Sequence, residues 1–374
     1  MKANKNINLL CLVSYNFLPA KIGGQKCIAS LYDFLSKELN LICVSTQNND
    51  PSLAAYKQYN ILSNSVLRYI NLFYFFKLRN IIKKENISHL QIEHPYYGWL
   101  AVLLQWFCGV QLIVHSHNIE GLRFKSLGKA WWRILLQYEK WVHRQADFNL
   151  FITAEDQNYA LQHFGLNPKQ CCIITYGIAW QQAPSIAARK EAKSIITKKL
   201  GISANTKIML FNGTFSYQPN LDGLRFILDK VNPLLQQNQS EDYHIIICGK
   251  DIPSDIQSSK YPNVSIEGFV DDIDLYFRAA DIFLNPVAEG GGIKTKLVEA
   301  LAHDLIAVSF KNGAIGIPAN ISANKLIIIE EFDTTGFTNA IKQISTESKP
   351  IGTAYFEHFY LGAIAKKMLQ FINK

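Results

Sequence analysis

The chain has no apolar run long enough to cross a membrane. Its longest, Trp99 to Val114, is interrupted by Gln105, Gly109 and Gln111 and falls short of the roughly 20 residues that a helical span requires. Paired cysteines are also missing. There are seven cysteines, an odd number, with no CxxC, and Cys11, Cys43 and Cys248 sit in apolar strand-like runs. That usage predicts reduced thiols in a cytoplasmic protein, with no disulfide framework and no metal centre. No strand-linked G-x-G-x-x-G with a following acid and no Walker A sequence occurs, which removes the signatures of a dinucleotide dehydrogenase and of a P-loop NTPase. No internal repeat, low-complexity tract or nucleic-acid recognition module stands out, so no nucleic-acid partner is expected. Charged residues make up only 18% of the chain against 48% hydrophobic, the balance of a globular protein.

What is present is an alternation of strand-like and helix-like segments, twice over. In the first half, strand-like runs lie near Ile7–Ser14, Leu41–Ser45, His89–Glu93, Gln111–His115, Phe148–Ile152 and Cys172–Thr175. In the second they lie near Ile208–Asn212, His244–Cys248, Val264–Glu267, Ile282–Asn285, Ile306–Ser309 and Leu326–Ile329. Continuous apolar strands separated by helices predict parallel sheets covered on both faces. With 374 residues, more than one usual core, two Rossmann-like α/β domains are expected. Their bounds are read as 1–176 and 207–374. An interdomain linker is placed at 177–206, where the strand pattern lapses and Gln, Ser, Ala and Lys dominate, and the last helix is free to pack back on the first domain. Met1 to Ala20 carries lysines ahead of an apolar run, as a signal peptide does, but a glycine loop and an amphipathic helix follow at once, so a first parallel strand is the simpler reading.

The stretch Asp281 to Ser309 reads as strand, glycine loop, helix and strand. Gly290, Gly291 and Gly292 follow the apolar run Ile282–Leu284, and a helix is predicted to open at about Gly292, with Ile293, Leu297, Ala300 and Leu301 facing the core. Lys294 and Lys296 in the first turns, beside free N–H groups and the positive end of a helix dipole, suit a diphosphate. Glu299 is badly placed for a phosphate and well placed for ribose hydroxyls, so the pattern suggests a nucleotide. Glycines that merely end a strand beside solvated lysines would look similar in isolation.

The order GGG-x-K-x-K-x-x-E-A-L-A resembles the nucleotide-sugar loop and helix of the family 4 glycosyltransferases, two-domain enzymes of GT-B architecture whose two parallel sheets face across a cleft. The resemblance extends over most of the chain. Pro19 followed by Gly23-Gly24 matches the family's first glycine loop. His115-Ser116-His117-Asn118-Ile119-Glu120 matches the loop that carries a histidine beside the transferred sugar, and His117 is the residue aligned. Gly213-Thr214-Phe215-Ser216-Tyr217 ends the second domain's first strand, and Pro219 opens the helix after it. Lys250, in Cys248-Gly249-Lys250, and Phe269 and Val270, in Gly268-Phe269-Val270, stand at later strand ends, where open parallel sheets bind ligands.

The resemblance implies retaining hexosyl transfer from a nucleoside-diphosphate sugar to a glycan or lipid-linked acceptor, as in bacterial surface polysaccharide synthesis, with no metal and no cofactor. It implies catalytic roles for His117, Lys296, Glu299 and Glu289, and donor binding by Gly23, Gly24, Gly213, Thr214, Lys250, Phe269, Val270, Gly290, Gly291, Gly292, Ile293 and Lys294. Asp272-Ile273-Asp274 is read as acids at a helix start rather than a metal-binding DxD. Three features depart from the family pattern. Gly291 stands where many relatives carry the first glutamate of E-x7-E, with Glu289 two residues early; the loop after Gly213 has no Arg or Lys; and Asn312–Gly316 lacks a frequent glutamate. A GT-B nucleotide-sugar epimerase and a non-catalytic nucleotide-sugar-binding relative are the alternatives.

Charge is divided unequally. Residues 1–176 hold 18 Lys+Arg against 10 Asp+Glu, and the remainder 20 against 20. A basic first domain suits an anionic acceptor or membrane surface. Val66–Lys84 and Lys125–Arg144, the latter with Trp131, Trp132 and Trp141, mix aromatic with basic residues as interfacial helices do. Peripheral attachment to the inner face of the membrane is therefore an expectation, although aromatics in the core and cations in solvent would produce the same composition.

Overall fold

The computed structural model describes residues 7–20, 23–237, 242–256, 260–344 and 349–373. The chain divides into two compact units, one of Met1–Ala179 with Phe359–Lys374 and one of Trp180–His358.

The N-terminal unit is built on seven parallel strands: β1 (Asn8–Leu12), β2 (Asn40–Thr46), β3 (Lys57–Leu62), β4 (His89–Glu93), β5 (Gln111–Ser116), β6 (Phe148–Phe151) and β7 (Cys171–Ile173). They lie in the order β3-β2-β1-β4-β5-β6-β7, with Leu10 opposite Ile42 and Leu90 in the register. Because successive strand residues point to opposite faces, each strand feeds two cores. Leu9, Cys11, Leu41, Cys43 and Ile113 pack with α1 (Gly23–Leu35) and the C-terminal helix Leu361–Ile372. Leu10, Leu12, Ile42, Val44, Leu90, Leu112 and Val114 pack on the other face under α2 (Phe73–Lys84), α3 (Gly98–Cys108) and α5 (Trp132–Gln145). Burial on both faces is the reason these strands read as unbroken apolar runs.

β3 has no such run and escapes the sequence pattern. It is an edge strand with one hydrogen-bonded neighbour, and five of its six residues, KQYNI, retain exposure.

The C-terminal unit holds six parallel strands, β8 (Lys207–Thr214), β9 (Tyr243–Lys250), β10 (Val264–Gly268), β11 (Ile282–Asn285), β12 (Ile306–Phe310) and β13 (Leu326–Ile329), in the order β10-β9-β8-β11-β12-β13. The chain crosses from one side of the sheet to the other between β8 and β11, so the loops leaving their carboxyl ends border a crevice. β8 and β9 approach each other closely at their ends. Gly249, at φ 150°, lies so close to Gly213 that a methyl group on it would come within 1.8 Å of the Gly213 carbonyl oxygen. Only glycine fits there.

Two expectations need correction. The segment 177–206, read as a linker, contains the 15-residue helix Ile186–Leu200. Ser185 caps its start by accepting a hydrogen bond from Ala188 N, and Gly201 ends it in the left-handed conformation. It buries a narrow stripe including Ala192 and Ile196 and is tied down by Lys193 to Asp281 and by Arg189 to the Ala280 carbonyl. A helix with so little apolar surface leaves no strand pattern and only a weak helical one. The second correction is that the helix after the triple glycine begins at Thr295, with Lys294 as its N-cap, rather than at Gly292. Gly290 and Gly292 both have positive φ, 93° and 68°, which helical geometry does not permit.

Candidate functional site

Polar side chains gather at the carboxyl ends of the strands in each unit, with opposite chemistry. In the C-terminal unit, β8 ends at Gly213-Thr214 and β11 opens into the glycine loop. A methyl group on Gly213 would lie 3.1 Å from Lys296 Nζ and 3.1 Å from Asn220 Nδ2. The Lys296 ammonium therefore sits over the end of β8, at the switch point of the sheet, and Asn220 holds the same turn by donating to the Thr214 carbonyl at 2.9 Å. Glu299, three residues on, shares that helical face and is partly buried.

Lys294 behaves differently from the expectation that it faces a phosphate. Its ammonium donates to the carbonyls of Gly290 (2.8 Å), Gly292 (3.1 Å) and Gly291 (3.4 Å), so it braces the loop from inside. Asn312, from the loop after β12, donates to the Gly290 carbonyl at 3.2 Å. The Tyr217 hydroxyl occupies the space a Gly290 side chain would need, 2.3 Å from the Cβ position. Asn285 at the end of β11 donates to Ser309 Oγ and to the Gly313 carbonyl, fixing the neighbouring loop. Among these residues, Tyr217, Asn220, Asn285 and Asn312 were not singled out as site residues. Their signal is positional, polar residues closing apolar strands or following them into glycine turns.

Lys250 and Phe269 also meet. The Lys250 ammonium lies 4.1 Å from the centre of the Phe269 ring, which is 61% exposed. Pairing of Thr214 with Lys250 and of Cys248 with Gly268 sets this aromatic platform beside the end of β8. Val270 and Ile293 are partly exposed nearby in sequence, whereas Glu289 and Gly291 are exposed at the tip of the glycine loop. Asp272 accepts a hydrogen bond from Leu275 N and caps a helix, which explains the D-x-D without a metal.

Gly23, Gly24 and His117 belong to the N-terminal unit. The two glycines open α1, and a side chain on Gly24 would meet nothing within 4 Å. His117 follows β5 and lies in a buried network centred on Glu93, the last residue of β4. One oxygen of Glu93 faces His117 Nε2 at 2.7 Å and His115 Nδ1 at 2.9 Å; the other accepts from the Tyr32 hydroxyl and the Gln91 amide, both at 2.6 Å. Burial alone would raise the Glu93 carboxyl, but the charges and hydrogen bonds of His115 and His117 outweigh it and hold it well below the usual range. An ionised carboxylate can only accept, so His117 carries its proton on Nε2 and keeps the Nδ1 lone pair. Burial, then the charge of His94, lowers the His117 imidazole to about 4, so it is neutral at pH 7.

His94 adopts φ 64°, ψ 164°, a strained geometry for a residue with a side chain. Its ring lies 4.5 Å from that of His117, tilted by 36°, and pairs with Glu120 at 3.1 Å. Burial would raise Glu120 too, but His94, Arg123 and the Tyr96 hydroxyl bring it down to about 2. Glu139 accepts from the N–H groups of Glu120 and Gly121 and so caps α4 (Glu120–Ser126), while burial pushes its own carboxyl up to about 8. Glu93, His115 and His117 are the group among the described residues whose ligand atoms, all within 4.8 Å, could hold a metal ion. The 2.7 Å separation from His117 is a hydrogen-bond length, and the carboxylate already accepts from His117, Tyr32 and Gln91 with His115 Nδ1 in ion-pair range. Glu93, His94 and His115 were not among the expected site residues, since a lone acid at the end of an apolar strand gives no sign of what folds against it.

Two family models match, Glycosyltransferase Family 4 over residues 23–180 and Glycosyl transferases group 1 over residues 206–347. A processive diacylglycerol beta-glucosyltransferase of Bacillus pumilus is 25% identical over 178 residues, 46% of this chain and 41% of that protein. The chain spans about half or less of the length of the curated relatives it matches. Among solved structures, sucrose-phosphate synthase from Thermosynechococcus elongatus superimposes with a TM-score of 0.73 at 16% identity, covering 98% of both chains. Anabaena HepE in complex with UDP gives 0.73 at 12% identity, covering 98% of this chain and all of that one. At those identities the likeness establishes the fold, and the paired family models, which between them take in both units, establish the lineage: the chain belongs to the family 4 glycosyltransferases, of GT-B architecture.

Proposed function

We propose that the protein is a retaining glycosyltransferase that moves a hexose from a nucleoside-diphosphate sugar to a glycan or lipid-linked acceptor, in bacterial surface polysaccharide synthesis. The observation that carries this reading is the Lys296 ammonium over Gly213, at the switch point between β8 and β11. A ligand there would meet a fixed cation, the loop N–H groups and the Phe269 ring beside Lys250. Together these suit a diphosphate and a base. The solved neighbour HepE binds UDP, which makes uridine diphosphate the first nucleotide to test.

Breaking the bond between the sugar anomeric carbon and the phosphate oxygen builds negative charge on the diphosphate and positive charge on the ring. Lys296 and the loop amides would stabilise the first without reorganising. The acceptor hydroxyl would form its new bond on the face the diphosphate leaves, passing its proton to the departing phosphate. Glu299 would hold hydroxyls of the donor. His117, neutral, with Nε2–H fixed by Glu93, would offer its Nδ1 lone pair to a sugar hydroxyl. Lys294 acts indirectly, by holding the glycine loop in shape. An acceptor carried on a lipid would bring the basic N-terminal unit to an anionic membrane surface.

The test is to incubate the protein with uridine, guanosine and adenosine diphosphate sugars and a lipid-linked glycan acceptor, and to read the anomeric configuration of the product by NMR. A new glycoside with the donor's configuration supports the proposal. An inverted product rejects the mechanism. Conversion of the sugar without an acceptor would mark an epimerase, and tight nucleotide binding without turnover a non-catalytic relative.

A further inference from the structure

The helices on the two faces of the N-terminal sheet differ in what they show to solvent. On one face, α1 and the C-terminal helix contribute no exposed large hydrophobic residue among the described residues. On the other, α2, α3 and α5 and the segments leading into them carry most of those in the unit. Phe73 (74% exposed) and Phe76 lie on α2, Trp106 (67%) and Phe107 on α3, and Ile134 (74%) and Trp141 on α5. These elements form one continuous layer. Phe75 of α2 packs edge to face on Phe107 of α3 at 5.6 Å, and Trp99 N of α3 donates to the Tyr138 hydroxyl of α5 at 2.9 Å. Monomeric proteins rarely leave so many large side chains exposed side by side.

The charge on this layer is of one sign. Between Val66 and Arg144 the sequence has eleven lysines and arginines and four acids. Three of the acids, Glu93, Glu120 and Glu139, are buried, and the fourth, Glu85, pairs with Lys57 and accepts from the Tyr59 hydroxyl. The cations Lys77, Lys83, Lys84, Lys125, Lys129 and Arg133 are exposed. Lys125 and Arg133 both lie over the Trp132 ring, at 5.0 and 5.4 Å. Exposed aromatic and aliphatic side chains ringed by cations without exposed acids match an anionic bilayer, whose hydrocarbon takes the apolar groups and whose headgroups take the charges. A second copy of the chain fits poorly, because a two-fold contact would set the same cations against each other. We infer that the outer face of α2, α3 and α5 is a docking surface for anionic phospholipid membrane, with Phe73, Phe76, Trp106 and Phe107 entering the interface and the lysines of α2 and of the approach to α5 meeting the headgroups.

This inference is independent of the transfer reaction and is tested without it. The full chain is sedimented with vesicles of phosphatidylcholine alone and of phosphatidylcholine with phosphatidylglycerol. Three variants are compared: Lys77→Glu/Lys83→Glu/Lys84→Glu, Phe73→Ser/Phe76→Ser, and, on the opposite face, the exposed pair Lys366→Glu/Lys367→Glu. All seven positions are solvent-exposed, and circular dichroism and thermal melting verify folding. The expected result is binding to the anionic vesicles that exceeds binding to phosphatidylcholine. Each α2 variant should weaken it about ten-fold or more, and the C-terminal helix variant should keep it. Absence of binding to anionic vesicles, or an equal loss in the opposite-face variant, would overturn the proposal. So would a dimer of the wild type that Phe73→Ser/Phe76→Ser converts to monomer, since a second copy would then cover the face.

Discussion

The two units share a parallel-sheet plan and place their polar groups at the same ends of the strands, yet they organise those groups in opposite ways. In the N-terminal unit a carboxylate with no solvent exposure, Glu93, is enclosed by Tyr32, Gln91, His115 and His117. In the C-terminal unit a cation, Lys296, sits among glycines at a crevice edge, with the exposed Phe269 ring on a neighbouring loop. The first arrangement belongs to the core and sets a protonation state. The second belongs to loops and offers charge to something outside. Damage to the first should register as lost stability, and damage to the second as lost binding and rate.

The largest effect is expected from Lys296→Ala, which removes the cation nearest the proposed leaving group. Steady-state transfer should fall in kcat/KM by about 100-fold to 1000-fold with the melting temperature little changed, as for other single preorganised donors. Glu93→Ala tests the other side. It would leave two hydroxyl or amide donors and two imidazoles without their shared acceptor, and denaturant unfolding should show a loss of about 3–5 kcal/mol. If Glu93→Ala spared stability, the contrast between the units would fail.

Acid provides the third test. His117 is lowered to about 4 in the fold, against an ordinary value near 6.5, so between these pH values the unfolded chain binds more protons than the native one. Its contribution to stability is complete above about pH 6.5 and is lost as pH falls through 4, on the order of 3 kcal/mol in all. Unfolding free energies at pH 7 and pH 4 should therefore differ less in His117→Gln than in the wild type. The smallest effect belongs to Phe269→Leu, which should weaken nucleotide binding about five-fold by calorimetry while leaving the N-terminal network untouched.

How much of this was legible in the sequence followed from burial. β11 lies at the residues the apolar run predicts, because burial on both faces leaves no ambiguity about where such a strand begins; β13 also lies where its run of apolar residues predicts, although it is an edge strand that keeps partial exposure. β3 and the helix Ile186–Leu200 were invisible, since each buries too little to leave a pattern. The glycine loop and Lys296 could be read because glycine and lysine at a strand end have few other uses. The inward turn of Lys294 could not, since it depends on carbonyls that only the folded loop presents. Glu93 is the clearest case: its partners come from α1, β4, β5 and the loop after it, and no spacing along the chain brings those together.

The central claim is that the Lys296 crevice holds a nucleoside diphosphate. It is tested most directly by titration calorimetry of uridine, guanosine and adenosine diphosphates into the wild type, Lys296→Ala and Glu93→Gln. The account predicts that one diphosphate binds the wild type and Glu93→Gln alike and binds Lys296→Ala at least about ten-fold more weakly. Equal affinity in Lys296→Ala, with its fold verified, would contradict it.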